Sequence, residues 1–143
     1  MSRPRIVLDT NVVVSAALKP LGQQALVMNL VAFRAVELCI SQEVTTEYRE
    51  VFSRPKFAAI PPAEVEKLLA MIEAEATKVS PTQQLTISKH DSDNRFYECA
   101  GAAGADYIVT GNSKHFSKPH KNTRIITGRQ LLELLKAMPE QPR

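Results

Sequence analysis

Asp9 ends the run Arg5-Ile6-Val7-Leu8, so a strand that reads as buried leaves a carboxylate at its tip. In open α/β sheets ligands collect outside the carboxyl ends of the strands, and an acid there sits where a site is expected. An Asp in this position can also simply cap the helix that follows. Glu47 is the second acid: Val44, Tyr48, Val51 and Phe52 make the apolar stripe of a helix after Ser41, and Glu47 falls on that stripe. Burying an ionised carboxylate costs several kcal/mol without a cation beside it, so an inward Glu calls for a partner. At the helix edge it can instead reach solvent, Arg49 or Arg54, while Glu43 and Glu50 fill the outward face. The third acid comes from His90-Asp91-Ser92-Asp93-Asn94-Arg95-Phe96, a polar cluster that opens a helix whose core face is Phe96, Cys99, Ala100 and Ala103. Here Asp91 or Ser92 is expected as the N-cap, with Asp93 in the first turn, where an acid often does no more than complement the helix dipole.

Asp9, Glu47 and Asp93 each begin or enter a helix that follows a strand, so a right-handed parallel fold brings all three to one sheet edge. Acids sharing a site as bare anions repel one another, and a hard cation with oxygen ligands, Mg²⁺ or Mn²⁺, relieves the repulsion. Such ions polarise a phosphodiester and turn water into a nucleophile, so phosphodiester hydrolysis is the expected chemistry.

The elements that must position these acids alternate along the chain in βαβ fashion, which argues for an α/β fold with a central, mainly parallel sheet and helices on both faces. Strands are expected at residues 5–8, 36–40, 107–109 and 124–126, with a short edge strand near 78–79. Helices are expected from near Val12, near Gln42, after Pro61-Pro62, near Asp93 and after Thr127. Val65, Leu68, Leu69 and Ile72 recur at helical spacing, and Thr127 with Gln130 reads as a capping box. Residues 53–62 and 113–122 are the expected long loops, because Pro, Lys and small residues break the apolar pattern there.

At 143 residues and 44% apolar, the chain suits one domain with a real core, here about residues 4–137 plus a short C-terminal tail. It has no run of about 18 apolar residues and no leader pattern, so no membrane association and a cytoplasmic location are expected. Cys39 and Cys99 lie in apolar segments without a CxxC pair and read as reduced core thiols. The net charge is +3, and Lys114, Lys118, Lys121 and Arg124 gather with His115 and His120, which suits a polyanionic partner or a plain solvated loop.

In order and spacing, four stretches resemble the PIN-domain ribonucleases, and within them the VapC-like toxins of toxin–antitoxin pairs. They are Leu8-Asp9-Thr10-Asn11-Val12; the segment from Ser41 to Glu47 followed by Glu50-Val51-Phe52-Ser53-Arg54-Pro55-Lys56-Phe57; Asp93-Asn94-Arg95-Phe96; and Ala105-Asp106-Tyr107-Ile108-Val109-Thr110-Gly111. Each motif is weak alone, together they are specific, and the resemblance covers nearly the whole chain. The resemblance implies a three-layer PIN-like fold and Mg²⁺- or Mn²⁺-dependent RNA cleavage. It implies that Asp9, Glu47 and Asp93 are the catalytic metal ligands, supported by Asn11 and Ser41.

Asn112 stands where many members carry a fourth acid, so it becomes a candidate ligand without negative charge, and a second metal should bind more weakly. His90 stands where relatives often have Asp, and Asp91 where they have Pro, which makes Asp91 a candidate substitute ligand. Lys114 and His115 follow the strand that ends in Gly111 and are candidate contacts to substrate RNA, while Phe116 is either a base-stacking ring or a core anchor. Asp106 precedes its strand, on the opposite edge, and reads as structural. The resemblance further implies a small antitoxin that blocks the acidic cleft, and a homodimer.

Other folds of similar order fit less well. A receiver domain would carry paired acids after its first strand and a lone acceptor Asp after a later one. A haloacid-dehalogenase-like phosphatase would have Asp-x-Asp where the third residue here is Asn11. The remaining competitor is a PIN fold that binds RNA or protein without cutting.

Overall fold

A computed structural model of the chain describes residues 3–111, 116 and 118–137. The first strand, β1 (Arg5–Leu8), leads into α1 (Thr10–Leu18) and α2 (Gln23–Ala32). Then come β2 (Glu37–Ile40), α3 (Gln42–Phe52), a 3₁₀ turn at Pro55–Phe57, α4 (Pro62–Glu75) and the two-residue β3 (Thr77–Lys78). The chain closes with α5 (Asp91–Ala103), β4 (Tyr107–Val109), β5 (Arg124–Ile126) and α6 (Gly128–Ala137).

The strands form one parallel sheet in the order β3-β2-β1-β4-β5, with β1 at its centre. Ile6, Val7 and Leu8 of β1 are 0% exposed, as expected of a parallel strand covered on both faces. The register pairs Val7 with Ile108 and Leu8 with Val109, so the ends of β1 and β4 are level. At the other edge Arg5 pairs with Glu37 at 3.0 Å, and the Asp106 carboxylate accepts from the Arg5 amide at 2.8 Å. Asp106 is thus a strand tie, as its position suggested. Gly104, at φ +61, ends α5 in the left-handed region, and Ala105 donates back to Ala100 at 2.9 Å. That turn feeds β4 into the sheet.

The five expected strands form, with β3 at the edge, and the capping box at α6 makes both of its bonds, Gln130 amide to Thr127 Oγ1 and Thr127 amide to Gln130 Oε1. Both cysteines are buried and free. None of the described helices is long and apolar enough to cross a membrane.

Three local expectations need correction. The single helical stretch expected from near Val12 is two helices, broken at Pro20 and Gly22. α2 was hidden because Ala25, Leu26, Val27, Met28, Leu30 and Val31 run almost continuously and show no period, although Leu26 is exposed. The N-cap of α5 is His90, without a side-chain cap bond, so Asp91 and Ser92 lie inside the first turn. Residues 53–62 carry the 3₁₀ turn and bury Ile60, whereas the longest irregular stretch among the described residues is 79–90, which packs Leu85 and Ile87 on the core. Much of the expected 113–122 loop lies outside the described residues.

Candidate active site

Because β1, β2 and β4 are parallel, the residues after them, Asp9, Ser41 and Thr110, emerge on one edge of the sheet. Asp9 is 6% exposed and sits at the N-cap position of α1, yet its side chain makes no cap bond. Its Oδ2 instead accepts a 2.8 Å hydrogen bond from Thr110 Oγ1, while its amide donates to Val109 at 2.9 Å. Two residues on, Asn11 Oδ1 accepts from the Gly111 amide at 3.3 Å, so Asp9 and Asn11 both grip the end of β4. The neighbouring Thr10 hydroxyl is buried without a partner, a spare oxygen beside the acid.

Ser41 is buried and caps α3, accepting from the Val44 amide at 3.1 Å. This fixes the start of the helix that carries Glu47. The next residue, Tyr48, is wholly buried and donates its phenol to the Leu8 carbonyl at 2.6 Å, tying α3 to the residue before Asp9. Tyr48 also faces Phe96 at 6.4 Å between ring centroids, which brings α5 alongside α3. Glu47 and Asp93 come into electrostatic reach of each other through these contacts.

Glu47 is half-buried, and burial, then Glu50 and Asp93, push its carboxyl above the ordinary 4.5, with Arg54 pulling the other way. The arginines that could have neutralised it are engaged elsewhere: Arg49 pairs with Glu66 and Arg54 with Glu50. Asp93 is 7% exposed, with Ser88 Oγ 3.5 Å from its Oδ2. Asp91, one helical position into α5, is turned to solvent with its side chain 79% exposed and paired with Arg95 at 3.3 Å.

A divalent cation fits the chemistry of this edge: the donors are all hard oxygens, the Asp93 charge adds to the cost of ionising Glu47, and the unpartnered Thr10 hydroxyl is next in sequence to Asp9. Among the described residues no three His, Cys, Asp or Glu side chains converge closely enough to hold an ion by themselves. Asn112, Lys114 and His115 lie outside the described residues. Phe116 is 1% exposed and packs edge-on to Phe96 at 5.9 Å and against Tyr97 at 5.5 Å, so it is a core anchor and offers no face to a base.

The roles of Thr110 and Tyr48 were not anticipated. The signal for Thr110 was present, since a polar residue ends the apolar run of β4 as Asp9 ends that of β1, but pairing the two required the register. A cavity of about 660 Å³ lies elsewhere, between α1, α2 and α4, where Ala16, Leu18, Met28, Ile60, Leu68 and Met71 give it an apolar wall without any of the three acids.

The sequence model of a family described as "PIN domain" matches residues 5–114. No curated protein matches the chain. Among solved structures the chain is similar to VapBC2 from Rickettsia felis bound to a DNA fragment from their promoter, at 19% identity and TM-score 0.59 over 86% of this chain and 98% of that one. It is also similar to PAE2754 from Pyrobaculum aerophilum, at 16% identity and TM-score 0.63 over 94% and 91%. At these identities the likeness is one of fold.

Proposed function

This chain belongs to the PIN domain family, and from that premise we propose that it is a divalent-metal-dependent endoribonuclease, the toxin of a toxin–antitoxin pair, acting as one domain in the cytoplasm. The observation that carries the reading is the state of the acids at the sheet edge. Asp9 is buried and held by Thr110 rather than spent on a helix cap, and half-buried Glu47 lies within electrostatic reach of Asp93.

Asp9, Glu47 and Asp93 would hold Mg²⁺ or Mn²⁺, with Asn112 as a candidate further ligand; Asp91, turned to solvent on Arg95, is set aside. When bound, such an ion neutralises the scissile phosphodiester and acidifies water for attack. The chain's own residues supply the alignment. Thr110 fixes the Asp9 carboxylate, Asn11 holds the turn beside it, Ser41 sets the start of α3, and Tyr48 docks that helix beside β1. Lys114 and His115, which follow the end of β4, would contact an RNA backbone, whereas Arg124 begins β5 beside Asp106 on the opposite edge.

The Rickettsia felis neighbour is a VapBC2 complex, and its likeness supports a protein partner for this chain as well. The family resemblance adds a homodimer. As the resemblance implies, that protein partner would block the acidic cleft.

A second reading, a PIN domain that binds RNA or protein without cutting, is favoured by one observation: Asn112 replaces the expected fourth acid. Cleavage of a mixed-sequence single-stranded RNA with Mn²⁺, Mg²⁺ or EDTA, beside Asp9→Asn purified identically, decides between the two. Metal-dependent cutting lost in the variant supports the nuclease. Metal or RNA binding without cutting supports the second reading.

A further inference from the structure

Asn94 follows Asp93 in α5 and is 2% exposed, and a carboxamide buried to that degree is costly unless both of its ends are bonded. One residue satisfies both: the Ser88 amide donates to Asn94 Oδ1 at 2.8 Å, and Asn94 Nδ2 donates to the Ser88 carbonyl at 3.1 Å. The side chain pairs with Ser88 as a neighbouring strand would. One turn further along, Glu98 is also buried, and its Oε2 accepts from the Leu85 amide at 2.8 Å and from Arg95 at 2.8 Å. Leu85 and Ser88 are therefore held on Glu98 and Asn94 in reverse order, and the strap runs antiparallel along α5.

Ser88 then governs the entry to that helix. Its Oγ accepts from the His90 amide at 3.2 Å and lies 3.5 Å from Asp93 Oδ2, and the His90 carbonyl accepts the Asp93 amide at 3.0 Å. The position of the Asp93 carboxylate thus follows from the position of Ser88, which follows from the Asn94 carboxamide. Resting on the nuclease reading, we infer that Asn94 is a positioning residue of the active site, whose two bonds to the Ser88 main chain clip the 85–90 strap and aim Asp93 at the metal. Partners of this kind, which orient a ligand without touching the ion, set metal affinity strongly.

The test measures Mn²⁺ affinity by calorimetry and RNA cleavage rates for the parent, Asn94→Ala and Ser88→Gly, with circular dichroism to count the folded fraction. Asn94→Ala is expected to weaken Mn²⁺ binding and lower kcat by roughly ten- to hundredfold in the folded fraction, with KM for RNA unchanged. Loss of folded protein alone would leave the Mn²⁺ affinity of the remainder at the parental value. Ser88→Gly keeps the main-chain clip but removes the Oγ through which it reaches His90 and Asp93; it is expected to show the same pattern and tests that link if Asn94→Ala does not fold. Parental Mn²⁺ affinity and kcat in the folded variants would overturn the clip while leaving the nuclease standing. A parent that neither binds Mn²⁺ nor cleaves RNA would overturn the nuclease and the clip with it.

Discussion

Thr110 Oγ1 reaches Asp9 Oδ2 at 2.8 Å across 101 positions of sequence, and both residues are buried. Removing one donor from a buried carboxylate costs about 1–3 kcal/mol. Thr110→Val, nearly the same shape without the hydroxyl, is expected to lower the urea midpoint accordingly and to weaken Mn²⁺ binding. Thr110→Ser should restore most of both. A Thr110→Val protein as stable and as metal-avid as the parent would show that the bond does not hold the acid.

Asp91 and Asp93 lie two residues apart and differ in environment. Asp93 is buried at the site edge, whereas Asp91 is exposed and tied to Arg95. Asp93→Asn, like Asp9→Asn, should reduce RNA cleavage to the level of the parent in EDTA without unfolding the protein. Asp91→Asn should keep parental cleavage and lose no more than about 0.5 kcal/mol, the worth of an exposed pair one helical turn apart. The reverse result would make Asp91 the ligand.

Burial pushes Glu37 up, but hydrogen bonds from Arg5 and Thr77 and the charges of Arg5 and Arg3 outweigh it and hold the carboxyl below its ordinary 4.5. A group depressed in the folded state stabilises above its unfolded value and loses that contribution as pH falls through the folded one. Glu37→Gln should therefore be less stable than the parent at pH 7, by no more than about 1 kcal/mol because Arg5 is substantially exposed. The gap should narrow below pH 4.5. Thermal unfolding of the two proteins from pH 7 down to pH 3 reads it directly, and a constant gap would remove this pair from the acid sensitivity.

Burial pushes the Cys39 thiol up to about 11 and the Cys99 thiol up to about 12. Since the thiolate is the reactive form, neither should react with a disulfide reagent at pH 8 while the protein is folded, and both should react in denaturant. A fast thiol in the native protein would mean that the core around β2 and α5 opens.

The sheet was legible because its strands announce themselves: Ile6, Val7 and Leu8, then Tyr107, Ile108 and Val109, are short apolar runs between polar breaks. The helices with one buried stripe, α3 above all, were legible for the same reason. What escaped was set by partners distant in sequence. Nothing near Ser88 shows that Asn94 will bond its main chain, and α2 carries apolar residues on too many sides to display a period. At the candidate site the acids could be named from their positions, but the hydroxyls that hold them depend on register and helix docking. Thr110 and Tyr48 were therefore visible only once β4 lay beside β1 and α3 was docked on β1.

A protein is made from its N-terminus, so Asp9, Glu47 and Asp93 are all synthesised before β4. β1 pairs with β2 on one side and with β4 on the other, and until Tyr107–Val109 has been made one flank of β1 is bare and Asp9 lacks the Thr110 hydroxyl. The acidic edge is therefore among the last parts of the molecule to close. Fragments that stop short of β4 contain all three acids but lack the Thr110 hydroxyl that holds the first. Under the nuclease reading, a growing chain would gain its aligned acidic edge only when synthesis is nearly done.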